Sequence, residues 1–490
     1  MTETAAAPEP GRWAPVAARL IGFAPYPVAV VALLWPALIN GFPLLMGDSF
    51  RYLREAGGNY EWVSSQFYGY FLRIFSSTSL WVAVVVQAVA AVVVVATFLR
   101  RVAGLPHPVA ALATTLLAVT SSLPLFAGLV MTDIWFGLGL IAATVLLLAE
   151  RSLLSDIAMM VVVAFTAAAH PAALPLLGVL LVVAVTIVVW RRLRAGAWGG
   201  ADGVRLLALG VGVAVVALMV NNQAVWGKLS PNPHSSVVAF VYLLGHGDLE
   251  DELAGCTEWE MCRIAERPGG GIRGFNTLLF GREGFLHTEL GGPEVFAPEA
   301  TEIVLTHITS DPTTYLARVA GTGFAQLSRV KAFPHVRALM NRMHPGRIDE
   351  IAAFNAGDGP RFRASRTYRR TLDLGSHEIV GMVVGWLGAA ATVAAAIVGL
   401  VRKRRGSPPW PRHLGRTVAG AAVLGGLYVL HGFVVGTTAY SVGRYGGRVL
   451  WLLALVFWAL VFAFGGRWIG LRDAGSGRTP GPSQEAGIPI

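Results

Sequence analysis

Apolar residues gather into ten stretches, near 24–45, 79–99, 107–121, 133–149, 156–169, 171–190, 204–222, 379–401, 416–435 and 448–466. A helix rises 1.5 Å per residue, so about 20 apolar residues cross roughly 30 Å of hydrocarbon. Several stretches reach that length. Those at 107–121, 133–149 and 156–169 are shorter, and short pairs of this kind suggest helices that end inside the protein, facing a cavity. Between 64 and 76 the pattern changes: Phe67, Phe71, Ile74 and Phe75 recur at helical spacing beside Gln66, Tyr70 and Arg73. That spacing predicts an amphipathic helix lying on the membrane surface. Residues 223–378 are polar enough to fold in water, with helices predicted near 235–247, 298–310 and 312–330 and Gly-rich turns such as Gly269-Gly270-Gly271.

Composition carries the pattern further. Hydrophobic residues make up 54% of the chain and charged residues 14%. A soluble domain carries about 25% charged residues, so this chain must be solvated largely by lipid. The formal charge of +10 sits in clusters between apolar stretches: Arg100-Arg101, Arg191-Arg192 with Arg194, and Arg402-Lys403-Arg404-Arg405. That is a positive-inside pattern. It shows no basic stripe with interleaved aromatics, which excludes nucleic acid as a partner. Arg12 and Arg19 precede the first stretch, which reads as an anchor rather than a cleaved signal. Both termini are then cytoplasmic, and 46–78, 122–132, the turn at His170-Pro171, 223–378 and 436–447 lie outside.

The expected architecture is an all-α, multi-pass integral membrane protein of about ten transmembrane helices with a large, mainly helical extracytoplasmic loop domain. Its segments are a cytoplasmic N-terminal segment (1–20) and a transmembrane module (21–222) containing a first outer loop (46–78). An outer loop domain (223–378), C-terminal transmembrane helices (379–466) and a disordered cytoplasmic tail (467–490) follow. Only three lysines (Lys228, Lys331 and Lys403) stand among 39 basic residues. This bias reads as a GC-rich bacterial source and, with the spans, a bacterial inner (cytoplasmic) membrane. Cys256 and Cys262, the only cysteines, both fall in the large outer loop. In an oxidising compartment they read as a small disulfide, with two free thiols as the alternative.

Ionisable residues at membrane depth are costly and need a reason. Asp48 follows the first span, Asp133 opens the fourth, His170 lies between the fifth and sixth, and Arg444 precedes the tenth. The topology puts all four at the outer face. Singly, each has a plain reading: a helix cap, a solvated loop residue, a turn histidine, an interfacial anchor beside Tyr440 and Tyr445. Together they suggest a site for an anionic group and a proton transfer. A carboxylate takes the proton of an acceptor hydroxyl, and arginine holds a phosphate leaving group. The second acid positions the acceptor or holds a divalent metal such as Mg or Mn. His431 reads as a packing histidine or as a residue of the same cavity.

Three features resemble the GT-C superfamily of membrane glycosyltransferases: Asp48 just after the first helix, the surface helix at 64–76, and Thr132-Asp133 opening a helix. The likeness covers roughly residues 20–222. It implies a polyprenyl-phosphate-linked sugar as donor, a membrane-lipid setting, and an envelope glycan or protein as acceptor. It also implies Asp48 as catalytic base and Asp133 as supporting acid or metal ligand. His170 and Arg444 have no fixed counterpart in that superfamily; with Tyr445 and Arg448 they stand as candidate substrate-binding residues on their own charge and position. Other stretches resemble a family of uncharacterised bacterial multispanning proteins. They are Ser235-Ser236 to Gly247, the two cysteines, Asp311-Pro312 with Tyr315-Leu316, and Gly443-Arg444-Tyr445-Gly446-Gly447-Arg448 with Trp451-Leu452. The alternative is a non-catalytic role: a lipid-linked glycan flippase or an envelope assembly factor. The motifs Gly-x4-Gly-Lys-Ser/Thr, His-Glu-x-x-His and Gly-x-Ser-x-Gly are absent.

Overall fold

The computed structural model describes residues 24–195, 200–246, 249, 253, 256–265, 284–341, 347–408, 410–438 and 441–465. The expected terminal segments 1–20 and 467–490, with Arg12 and Arg19, the Gly269-Gly270-Gly271 turn and Tyr440 lie outside these residues. The first apolar stretch forms α1 (Tyr26–Asn40), and the connection after it forms α2 (Gly47–Ala56) and α3 (Phe67–Arg73). Next come α4 (Leu80–Arg101), α5 (His107–Val119), the short α6 (Leu123–Ala127), α7 (Asp133–Leu148), α8 (Leu153–Ala169), α9 (Ala173–Ala195) and α10 (Ala201–Trp226). The long loop holds α11 (Ser235–His246), α12 (Glu260–Ala265), α13 (Phe285–Thr288), α14 (Pro293–Ser310) and α15 (Pro312–Ser328). It continues with α16 (Ala332–Asn341), α17 (Arg347–Phe354) and α18 (Asp358–Ala364). The chain then returns through α19 (Gly375–Arg404), α20 (Arg412–Thr438) and α21 (Gly443–Gly465).

Every apolar stretch forms a helix. Six helices (α4, α9, α10, α19, α20 and α21) are long and apolar enough to cross a membrane. The helices α1, α5, α7 and α8 are shorter, with 15, 13, 16 and 17 residues. The chain is thus an all-α, multi-pass membrane protein. The surface helix predicted over 64–76 is confined to Phe67–Arg73. The helix α2 falls in a segment read from the sequence as loop. Its charged residues hide the apolar positions Phe50, Leu53 and Ala56, which with Tyr52 turn inward against α3 and α17.

Helix α7 is the axis of the bundle. Residues Asp133–Leu146 are all buried, as expected of a helix apolar all round that has protein on every side. The helices α4, α8, α20 and α21 pack against it. Ion pairs tie the arginine-rich end: Arg101 to Asp156 at 3.5 Å, Arg151 to Asp156 at 3.8 Å, and Arg416 to Glu150 at 2.6 Å.

At the opposite end the long loop docks onto the connection between α1 and α4. Asn40 Oδ1 accepts the Thr367 N–H at 2.7 Å and the Thr367 hydroxyl at 2.8 Å. Asp358 caps α4, accepting from the Leu80 N–H and the Ser79 hydroxyl, both at 2.8 Å. Arg54 donates to Glu350 at 2.8 Å. A second, smaller core joins α11, α12 and α14 through Val237, Phe240, Met261, Phe296 and Ile303. Cys256 and Cys262 form a disulfide beside it, with Cα atoms 5.5 Å apart.

Candidate functional site

Local features bring the two aspartates together. The chain after α1 pairs with the chain before α7 in one isolated β-bridge. The Leu44 N–H donates to the Gly128 carbonyl at 2.8 Å, and the Val130 N–H to the Leu44 carbonyl at 3.0 Å. Gln87 in α4 holds the second strand of the bridge from below. Its amide donates to the carbonyls of Ala127 (3.3 Å) and Leu129 (3.2 Å), and its oxygen accepts the Tyr68 hydroxyl at 2.6 Å. Asp48 and Asp133 each lie four positions beyond the bridged residue of their segment. The Tyr52 and Thr132 hydroxyls meet at 3.3 Å, linking α2 to the start of α7.

Arg448 is the hub. Its Nη1 donates to Asp133 Oδ1 at 3.2 Å and lies 2.8 Å from His170 Nε2. Its Nε and Nη2 lie 3.2 and 3.1 Å from His431 Nε2. Both N–H groups point at that nitrogen, so His431 accepts there and carries its proton on Nδ1. His170 faces a donor on each side, since the Ala172 N–H also approaches Nδ1 at 3.2 Å. A neutral ring can accept only one of these bonds. The Arg448 guanidinium also stacks over the rings of Phe136 (4.6 Å) and Tyr445 (4.7 Å). Arg448 and Asp133 keep 3% and 2% of their side-chain exposure. A pair this buried survives only where hydrogen bonds and ring faces replace water. Among the described residues Asp133 Oδ2 has no hydrogen-bond partner.

Arg444, one turn earlier on α21, donates to Asp48 Oδ2 at 2.7 Å and contacts Met46 Sδ at 3.3 Å. Its guanidinium lies 5.1 Å from the Tyr445 ring, so Tyr445 stands between the two arginines. Asp48 keeps 36% of its side-chain exposure and is the accessible member of the cluster. Burial pushes its carboxyl up. Arg444 and Arg51 pull it down harder, with help from His335, and hold it below the usual carboxylate range. The structure therefore brings together Asp48, Asp133, His170, Arg444, Tyr445 and Arg448, and adds His431 to them.

The glycines of the 443–448 segment explain its spelling. A Cβ on Gly443 would lie 1.9 Å from the Lys331 carbonyl oxygen, one on Gly446 2.3 Å from the Arg329 oxygen, and one on Gly447 2.4 Å from Ala332 Cβ. Only glycine lets residues 329–332 lie against α21 between its two arginines. That contact delivers α16, and with it His335, to Asp48.

Sequence reading missed Arg51, Tyr52, Glu55 and His335. The first three share one face of α2 with Asp48, at spacings of three, four and seven residues. That stripe was the available signal. Glu55 is fully buried; it accepts the Ser64 hydroxyl on Oε1, and among the described residues its Oε2 has no hydrogen-bond partner.

One expectation is overturned. Among the described residues no group of three or more His, Cys, Asp or Glu could hold a metal ion. Asp48 and Asp133 are engaged by arginines, and the two cysteines by each other. Charge at this site is carried by guanidinium groups. No protein family model, curated protein or solved structure matches the chain.

Proposed function

We propose that the chain is a GT-C-like glycosyltransferase of the bacterial inner membrane, spanning it ten times with both termini cytoplasmic. In this reading it transfers a sugar from a polyprenyl-phosphate-linked donor to an envelope glycan or protein on the extracytoplasmic side. The supporting observation is an accessible carboxylate, Asp48, set beside a buried cationic hub. Arg444 and Arg448 stand one turn apart beside Asp48, and paired guanidinium groups of this kind suit the phosphate of a donor.

The donor phosphate competes for Arg444 and releases Asp48 from its ion pair. Asp48 then takes the proton of the acceptor hydroxyl as that oxygen bonds to the sugar C1. The C1–O bond to phosphate breaks, its electron pair leaves with polyprenyl phosphate, and Arg444 and Arg448 hold the anion. Asp133 anchors Arg448. The test uses membranes supplied with polyprenyl-phosphate-linked sugars. Asp48→Asn removes the base at almost unchanged volume, so transfer should be lost while insertion and folding persist. Unchanged products in that variant would sink the proposal.

The Asp48–Arg444 pair favours a second reading, because a neutralised carboxylate binds without reacting. The protein would then move a lipid-linked glycan across the membrane. Proteoliposomes separate the two: movement of the lipid with no new glycosidic bond supports transport.

A further inference from the structure

The course of α15 is at odds with a helix that lies wholly in water. It runs antiparallel along the loop-bearing end of α20, held close by two glycines. A Cβ on Gly323 would lie 2.6 Å from the Phe433 ring, and one on Gly432 would lie 2.8 Å from Leu327 Cδ2. The Tyr428 hydroxyl donates to the Leu327 carbonyl at 2.8 Å, and the Phe324 and Phe433 rings meet edge to face at 5.3 Å. Residues 323–327 therefore lie level with residues 428–433.

The opposite end of α20 fixes that level in the bilayer. Arg416 is paired with Glu150 amid the arginine-rich end, beside Trp410 and the 402–405 cluster. From Arg416, Tyr428 and Phe433 are roughly 18 and 26 Å along the helix at 1.5 Å per residue. Both distances fall short of the roughly 30 Å of hydrocarbon.

Two further observations agree. A helix end in hydrocarbon must have its last carbonyls satisfied by protein. Besides the Tyr428 bond, the Arg329 N–H is shared by the Ala325 and Gln326 carbonyls, both at 3.2 Å, and the Val330 N–H donates to the Ser328 carbonyl at 3.2 Å. The Gln326 amide donates to the carbonyls of Arg329 (3.4 Å) and Val442 (3.1 Å), and Gln326 Oε1 accepts the Val442 N–H at 3.0 Å. Arg329 Nη1 donates to the Ser441 carbonyl at 2.6 Å. Between Leu316 and Phe324 the exposed face of α15 is also apolar, and its exposed polar residues are confined to Thr313 and Thr314 before that face and Ser328 after it. Leu316 is 62% and Phe324 64% exposed, with Ala317 and Gly321 between them. The one charged residue of the helix, Arg318, lies in its first half over the Tyr315 ring at 5.1 Å, and Tyr is enriched at membrane–water interfaces.

We infer that the last two turns of α15 are inserted in the leaflet on the loop-bearing side, and that lipid acyl chains cover the Leu316–Phe324 face. The chain leaving α15 is the 329–332 segment seated on the glycines around Arg444. The lipid-facing helix is thus joined directly, through residues 329–332, to the segment that seats Arg444. This holds whether the site transfers, moves or only binds its ligand.

The test is nitroxide labelling of single cysteines, F324C and L316C, in the full chain reconstituted in phosphatidylcholine–phosphatidylglycerol vesicles. The native cysteines are disulfide-bonded and do not label. At F324C, collisions with oxygen should exceed those with a water-soluble nickel chelate, to the same ratio as at V429C on the exposed face of α20. L316C should be intermediate, and V295C on the outer lobe should show the reverse order. Chelate accessibility at F324C equal to that at V295C would overturn the inference. So would dipolar broadening between labels at F324C, which would assign the face to a second copy of the chain.

Discussion

Glu55 makes the loop-bearing end sensitive to pH. Burial raises its carboxyl to about 7 from 4.5, against the hydrogen bond from Ser64 and the charge of Arg51. A raised acid stabilises the fold while it holds its proton. That contribution is complete below 4.5 and is lost as pH rises through about 7. Glu55→Gln should abolish this slope, which amounts to on the order of 3 kcal/mol. Thermal unfolding in detergent across that window measures it, and an unchanged slope in the variant would refute the assignment. Arg448 gives a second prediction. Arg448→Met leaves Asp133 buried without a counter-ion and should cost about 3–5 kcal/mol. Adding Asp133→Asn should restore much of the loss, and a double-mutant cycle reads the coupling. Sequence reading found Asp48, Asp133 and the two arginines because charge beside an apolar stretch stands out. It left His431 ambiguous, since its partner Arg448 lies across the helical hairpin, and it missed Glu55, whose burial depends on α3 folding over it.

The close contact of α21 with residues 329–332 makes a prediction for an element. Gly446→Ala would force a methyl against the Arg329 carbonyl, where a built Cβ lies 2.3 Å away. The segment must shift, at a cost of roughly 1–3 kcal/mol, and His335 should withdraw from Asp48. The ionisation of Asp48, followed by infrared spectroscopy of its carboxyl band, should then move toward higher pH. Gly465→Ala, at the far end of the same helix with nothing within 4 Å, should leave both quantities unchanged. The helices themselves were legible in the ten apolar stretches, because hydropathy reports burial in lipid and protein alike. The helix α2 was not, because four charged residues in ten lower its hydropathy while tertiary contacts bury it.

At the scale of the whole molecule, two cores share one chain, and the smaller is joined to the bundle through Trp62, through Tyr315 of α15 and through the contact of α11 with α20. A disulfide closing a loop as short as Cys256–Cys262 contributes about 2 kcal/mol by constraining the unfolded chain. Cys256→Ser should therefore raise hydrogen exchange in α11 and α14 and leave α7 protected. Equal loosening of α7 would show that the two cores unfold as one.

The cap on α4 has a bearing on biogenesis. The first turn of this early helix is completed by Asp358, 278 residues later in the chain. At about 5–20 residues per second, translation takes roughly 15–60 s to supply that partner. Throughout that interval the first turn of α4 stays unsealed, which leaves a window in which an insertion factor or chaperone can engage it.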